Sequence, residues 1–524
     1  MTDCKIITSP LPKRDPGLAR DASFWSFAES KIKKTIADQG EKPLWIDGST
    51  DEQISNVEFL RRTKSIARIL REEFGVKRGS VVLFCSKNDL QYYIPVYATF
   101  ALGAIAYQIP TVLAVDGVER CLSEEKHVPV IFCDDQILPD VEKCLENHFP
   151  DDESPEKSKI VIVAGRSTKY KKLRELLQET GPDDIVFPEL NPRDVCAIFV
   201  TSGTTGPPKS AAHTHYSLLS ATYNSDITGT EDDWYNVKLF HGNQGHIGAF
   251  YFFLCAISTA GTSITFSNYD ENQLLATVER YKATCILLYA SDSLYLAKLD
   301  KLEWSKYDLS SVKMILTGAS IFQPMTRAPI ENMFPNLAMP IAQVVNLDDG
   351  GELGPDERGE IWIHTPFIIK DYRNRPDLTS AAITFDGWYK TGDYGFYDIK
   401  KRLHIVDRVK DLIRLDNGVD VSPSEIENII LQHPSVKQVG VTGVEFGNEK
   451  SILPRAFIVL RENSADVKPE EIVKFVQGRA EDTNLCIRGG AEIVETLVTY
   501  PGGKIYRRLL RENYAKRQEL HGVP

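Results

Sequence analysis

Residues 201–209 read TSGTTGPPK: six small residues, all Thr, Ser or Gly, then two prolines and a lysine. Gly203 and Gly206 let the backbone turn successive N–H groups toward one anion. Thr201, Ser202, Thr204 and Thr205 add hydroxyl donors, and Lys209 adds a positive charge. Together these residue types serve the holding of a phosphate. The pattern is not the phosphate loop of NTPases, G-x-x-x-x-G-K-[ST]. Its glycine beside the lysine is here Pro208, and neither Pro207 nor Pro208 has an N–H to donate. A Gly/Ser/Thr surface loop would have the same composition. The preceding run VCAIFV, residues 195–200, predicts a buried strand. The loop therefore leaves the C-terminal end of a strand, where α/β proteins place ligands.

The elements that must carry such a loop are readable on either side. NVEFLRRTKSIARILREEFG, residues 56–75, predicts an amphipathic helix with Phe59, Ile66, Leu70 and Phe74 on one face and Gly75 after its end. SVVLFCS, VPVIFCD and KIVIVAG predict strands, and helices alternate with them. That rhythm gives a mostly parallel sheet covered by helices. After about Asp348 the texture changes to turns and aromatic alternation, as in GWYKTGDYGFYDIKKRLHIVDR, which predicts antiparallel hairpins. A compact α/β segment with charged helices follows Arg408, so the expected domains are residues 1–408 and 409–524.

Composition excludes several classes. A net charge of −12 over 524 residues argues against a nucleic-acid binder, which needs a basic face. The nine cysteines are scattered, and no pair has C-x-x-C spacing. They read as buried thiols in a reducing compartment. The N-terminus lacks the apolar core of a signal peptide, and ELHGVP is not a peroxisomal S-K-L tail. A cytoplasmic protein is expected, with peripheral membrane association left open. Two uncharged stretches, residues 91–115 and 248–266, are long enough to suggest membrane helices. Each is broken by Gly and then shifts to strand-like residues, which predicts a buried helix, a turn and a buried strand instead.

Further motifs follow the loop in order: LFHGNQG with His241, LTGAS with Gly318, YKTGDYG with Asp393, VDRVKDLI with Arg408 and Lys410, and PGGKIYRRLLR with Lys504. Taken with the loop, they resemble the adenylate-forming superfamily over about residues 20–515. That superfamily holds acyl-CoA synthetases, aryl-CoA ligases, firefly-type luciferases and peptide-synthetase adenylation domains. ELGPDERGEI and DGWYKTGD favour the branch of 4-coumarate–CoA ligases and luciferases. The resemblance implies an α/β fold. Its large N-terminal domain has helix-covered, mostly parallel sheets and a small barrel-like β part, and a small mobile α+β C-terminal domain follows. It implies that residues 201–206 and Lys209 wrap the outer phosphates of ATP. His241 would lie near the substrate carboxylate, and Gly318 near acyl chain and adenine. Asp393 would accept both ribose hydroxyls, and Arg408 would contact ribose and phosphate. Lys410 would be the hinge and Lys504 the catalytic lysine. The implied co-substrates are a carboxylic acid, ATP with Mg²⁺, and coenzyme A; no metal ligand is assigned, and the oligomeric state stays open.

One part of the family pattern is absent. An aromatic-G-x-T-E motif should follow a sequence like ENMFPN; its aromatic stacks on adenine and its Glu helps hold Mg²⁺. Here the text runs ENMFPNLAMPIAQVVNLDDGGELGP, with no such motif. Ser210 also replaces the glycine after the loop lysine, and Val498 the proline before the last motif. A shortened isoform or faulty gene model, an inactive binder of nucleotide or acyl groups, and an enzyme with a substitute metal ligand are the three explanations. The expected activity is an AMP-forming acid–thiol ligase. A luciferin-type monooxygenase sharing the adenylation step is a further alternative.

Overall fold

Strand Val195–Thr201 lies inside an eight-stranded sheet, as its apolar run requires. The computed structural model describes residues 22–125, 127–149, 158–179, 185–201, 208–225, 236–317, 343–345, 353–364, 368–399, 402–446, 451–461, 464, 467–480, 482–498 and 505–521. Across the sheet the strands run Asp371–Tyr372, Lys209–Thr214, Val195–Thr201, Ile105–Gln108, Val81–Cys85, Val130–Cys133, Lys159–Ile162 and Lys171–Lys172. From Val195–Thr201 to Lys171–Lys172 all pairs are parallel; Lys209–Thr214 and Asp371–Tyr372 add antiparallel edges. Both faces are covered, which is why the parallel strands read as continuous apolar runs. Val82, Phe84 and Phe132 face one core with helices Asn56–Glu72 and Tyr93–Ala101. Leu83, Cys85 and Ile131 face the other, with helices Ala114–Glu124 and Leu138–His148.

A second sheet runs Met314–Thr317, Cys285–Leu288, Val237–Leu239, Thr262–Thr265, Pro43–Asp47 and Gln53–Ser55, parallel except for the last strand. The helices between the two sheets share one core. Trp45, fully buried, meets Phe59 and Phe253 edge-on at ring-centroid distances of 4.6 and 4.9 Å. The uncharged stretches resolve as expected: helix Tyr93–Ala101 then strand Ile105–Gln108, and helix Ile247–Ser258 then strand Thr262–Thr265. Among the described residues no helix is long and apolar enough to cross a membrane. Among the described residues seven cysteines are buried free thiols and Cys486 is half-buried. Gly75 takes a left-handed φ of 67°, and the Val76 N–H closes the helix end on the Leu70 carbonyl at 2.9 Å.

Strands Gln343–Val345, Gly359–Ile363, Tyr389–Tyr397 and Leu403–Arg408 form an antiparallel sheet, the hairpins expected from the aromatic alternation. Beyond it, strands Val436–Phe446 and Ser451–Leu460 pair antiparallel, and Ala491–Ile493 joins them in parallel. Helices Pro423–Ile430 and Pro469–Gln477 pack there around Val436, Val441 and Ile458. Helix Arg507–His521 covers Phe457 with Leu510 and Tyr514.

Candidate active site

In the first sheet the chain leaves Val81–Cys85, places Ile105–Gln108 on one side and then Val130–Cys133 on the other. The strand order reverses there, and α/β sheets open their ligand crevices beyond such points. The turn after Val81–Cys85 carries Asn88, whose side chain spans to the second sheet. Its amide donates to the Gly242 carbonyl at 3.0 Å and the Phe266 carbonyl at 3.1 Å, and its oxygen accepts the Gln244 N–H at 2.9 Å. One residue thus ties the strand ends of both sheets. The sequence reading missed it, since a single Asn in a turn gives no signal.

The phosphate-loop candidate begins and ends on facing strands. Thr201 and Lys209 are cross-strand neighbours, and the Lys209 N–H donates to the Thr201 hydroxyl at 3.3 Å. The residues between them start and finish at one fixed point. Ser202, Gly203, Thr204, Thr205 and Gly206 lie outside the described residues, as do Gly318 and Lys504. The Lys209 ammonium sits 5.0 Å from the Tyr372 ring centroid, a cation–π contact. Below it the Tyr107 hydroxyl donates to Ser210 Oγ at 2.6 Å, and Ser210 Oγ donates to Glu124 Oε2 at 2.7 Å. Arg120 holds the other Glu124 oxygen at 2.9 Å. Burial pushes the Tyr107 hydroxyl far above the usual tyrosine range, so it stays a donor. Ser210, where the family carries glycine, completes this buried network.

His241 stands just past strand Val237–Leu239. Its Nε2 lies 2.8 Å from Asp292 Oδ2 on helix Ala290–Leu296. The same carboxylate accepts the Tyr289 N–H at 2.6 Å and the Tyr269 hydroxyl at 3.2 Å. The Tyr269 ring stacks on the imidazole at 3.8 Å and 10°, and Tyr289 meets it edge-on at 5.2 Å and 85°. Burial, then Asp292, pushes both tyrosine hydroxyls well above their usual range. Gly242 is required here: a Cβ would overlap the Tyr289 hydroxyl and the Phe240 ring edge. Neither Asp292 nor Tyr269 was visible as a site residue in the sequence.

The third group lies on the antiparallel sheet. Asp393 and Arg408 are cross-strand neighbours, and Arg408 Nε lies 2.9 Å from Asp393 Oδ1. Arg408 Nη1 also donates to the Thr391 carbonyl at 2.9 Å, which fixes the guanidinium beside the carboxylate. Gly392 takes a φ of 70° between Thr391 and Asp393, so the strand turns locally at this pair. Lys410 follows in the single turn Val409–Asp411, between this sheet and the C-terminal core. Among the described residues no three His, Cys, Asp or Glu side chains gather as a metal site.

Known proteins match this chain over most of its length. The family described as AMP-binding enzyme matches residues 32–345, over half of the chain, and the AMP-binding enzyme C-terminal domain matches residues 425–504. A luciferin 4-monooxygenase of Photuris pensylvanica is 26% identical, covering 98% of this chain and 99% of its own. The 4-coumarate–CoA ligase CCL1 of Humulus lupulus is 24% identical, covering 93% and 94% respectively. Among solved structures, an anthranilate CoA ligase in complex with anthranoyl-AMP superposes with a TM-score of 0.81 at 18% identity, covering 95% of this chain and 99% of that one. ATP-bound MatB from Rhodopseudomonas palustris gives 0.77 at 19% identity, covering 93% and 99%.

Proposed function

Because this chain belongs to the AMP-binding enzyme family of adenylate-forming proteins, we propose that it activates a carboxylic acid, fatty or aryl, with ATP and passes the acyl group to coenzyme A. A carboxylate is a poor electrophile, and oxide is a worse leaving group. Attack of the acid on the α-phosphate gives an acyl-adenylate and pyrophosphate, and AMP then leaves readily when a thiol attacks. Both first reactants are anions, so the site must neutralise and align them. In this reading residues 201–209 cradle the outer phosphates, and the pinned ends at Thr201 and Lys209 keep that cradle at the strand end. Asp393, fixed by Arg408, takes the ribose hydroxyls. Lys504 bridges the carboxylate and α-phosphate oxygens, His241 stands at the acid, and residues 409–524 turn about Lys410 between the half-reactions. Mg²⁺ accompanies the ATP phosphates.

The observation that carries the proposal is the ordered match to both family segments, with the loop closing between paired residues at a strand end. It is tested by pyrophosphate release from ATP with short, medium, long-chain and aromatic acids, beside Lys504→Ala. Acid-dependent release is expected, falling by about 10²–10³ in the variant, the usual loss for a positioned electrostatic group. Folded protein that releases none with any acid overturns it. The chain would then be an inactive binder, as the absent aromatic-G-x-T-E motif would explain. The likeness to a luciferin 4-monooxygenase over nearly the whole chain supports a second reading, oxidation of the adenylate by oxygen. Product analysis with coenzyme A against oxygen separates the two.

A further inference from the structure

Two side chains from separate segments and one backbone N–H converge on one buried carboxylate. Asp292 accepts from His241 Nε2, from the Tyr289 N–H and from the Tyr269 hydroxyl. Fastening the helix start would need only the Tyr289 N–H. The other two bonds instead fix an imidazole. The Nε2–H points at the carboxylate, Tyr269 covers one ring face, and the Tyr289 ring stands against it. This places the ring proton on Nε2 and leaves the lone pair on Nδ1, which makes no hydrogen bond among the described residues. The titratable groups facing the imidazole are Asp292, Tyr269 and Tyr289, with Glu271 beyond Tyr269. Both tyrosines stay neutral, so Asp292 is the carboxylate in direct contact with the ring.

We propose that His241 is the general base for acyl transfer and that Asp292 is its positioning residue. The inference rests on the acyl-adenylate chemistry proposed above. The attacking thiol gives its proton to His241 Nδ1 as its sulfur bonds to the acyl carbon. The bond from that carbon to the phosphate oxygen breaks, and AMP leaves with the electron pair. The imidazolium, held by Asp292, then returns the proton to solvent. A base whose other nitrogen is anchored to a carboxylate keeps the correct tautomer at the moment of attack.

The test separates transfer from activation. Chemically prepared butyryl-AMP and benzoyl-AMP are supplied with coenzyme A to the full chain, and thioester formation is followed from pH 5 to 9. Asp292→Asn and His241→Gln should each slow transfer about 10²-fold or more, the contribution expected of a positioned base. The double variant should be little slower than either single one. The loss in Asp292→Asn should fall on kcat for transfer and leave the KM for the acyl-adenylate little changed, which an Asp that only fastens the helix would not cause. Transfer by His241→Gln within about threefold of wild type sinks the proposal, and it does so even if Asp292→Asn fails to fold. So does wild-type protein that transfers neither acyl group. Transfer that depends on His241 in a protein releasing no pyrophosphate leaves this inference standing and removes the activation step instead.

Discussion

Lys238 shows how one residue can work against the fold that holds it. Its side chain enters the layer between the second sheet and helix Ile247–Ser258, where only 1% of the residue is exposed. The ammonium donates to Thr259 Oγ1 at 2.8 Å, and the Cys255 and Cys285 thiols lie nearby. Burial pulls its pKa from 10.5 down to about 8. Below pH 8 the folded and unfolded chains both carry the proton, so the full burial penalty is present. Between 8 and 10.5 the folded chain sheds it while the unfolded chain keeps it, and the penalty fades. Lys238→Met should therefore stabilise the protein at pH 7 by about 2–3 kcal/mol. That gain should shrink as the pH rises through the same window. The Thr259 hydroxyl keeps its own bond to the Cys255 carbonyl in the variant. Urea unfolding of both proteins at pH 7 and pH 10 reads the difference directly. A variant that is less stable at pH 7, or whose gain is flat with pH, contradicts the account.

At the scale of elements, strand Lys209–Thr214 pins the loop with its first residue, and His215, which opens the helix after it, fastens helix Phe24–Gln39. The Phe24 N–H, at the start of helix Phe24–Gln39, donates to His215 Nδ1 at 3.1 Å. A protonated imidazole cannot accept that bond. His213 is buried against the Phe199 ring at 5.8 Å, and burial holds both histidines down to about 4 from the usual 6.5. Depressed pKa values stabilise the fold above the unfolded value, and that stability is lost as pH falls through 6.5 toward 4. Up to about 3 kcal/mol per histidine is at stake. His215→Gln keeps an acceptor for Phe24 without the charge. It should flatten the decline in urea midpoint between pH 7 and 5, and an unchanged slope would refute the assignment. The strand itself shows what a sequence reveals. The apolar runs and the helix of residues 56–72 were legible because their signals are local periodicity and residue type. Asp292 was not, because its partner His241 lies 51 positions away and nothing near either residue marks the pair. Ser210 read as a deviation from the family. Its partner Tyr107, 103 positions earlier, makes it part of a buried network.

For the whole molecule, the question is how firmly residues 409–524 are tied to themselves and to the rest. Internally the tie is a buried ion pair. Arg507 donates to both Glu427 oxygens at 2.9 and 2.7 Å and to the Val441 carbonyl at 3.1 Å, and it lies 3.8 Å from Asp411 beside the hinge candidate Lys410. Burial pushes Glu427 up, and Arg507 draws it back toward the charged form. Removing one partner of such a pair leaves the other charge stranded, at about 3–5 kcal/mol. Toward the rest of the chain one of the ties is weaker. Arg358 meets Glu425 in a two-bond contact at 3.0 Å each, with the Arg358 side chain exposed to solvent and Glu425 half-buried. Exposed pairs contribute about 0.2–1 kcal/mol and are screened by salt. The turn about Lys410 proposed above would have to break this pair as well as the buried bonds of Asp407 to Ser422 and Ser424. Arg358→Ala should shift the balance between orientations by about 1.4- to 5-fold. Energy transfer between dyes on Asp116→Cys and Lys474→Cys reads that balance; both positions are exposed. The alanine variant should broaden the distance distribution, as should 0.5 M salt on the wild type, about the range where screening removes such pairs. Arg358→Glu combined with Glu425→Arg should restore it. An alanine variant indistinguishable from wild type at low salt would show that orientation is set elsewhere, with the Asp407 carboxylate bonded to the Ser422 hydroxyl at 2.6 Å and the Ser424 N–H at 3.0 Å as the next contact to break.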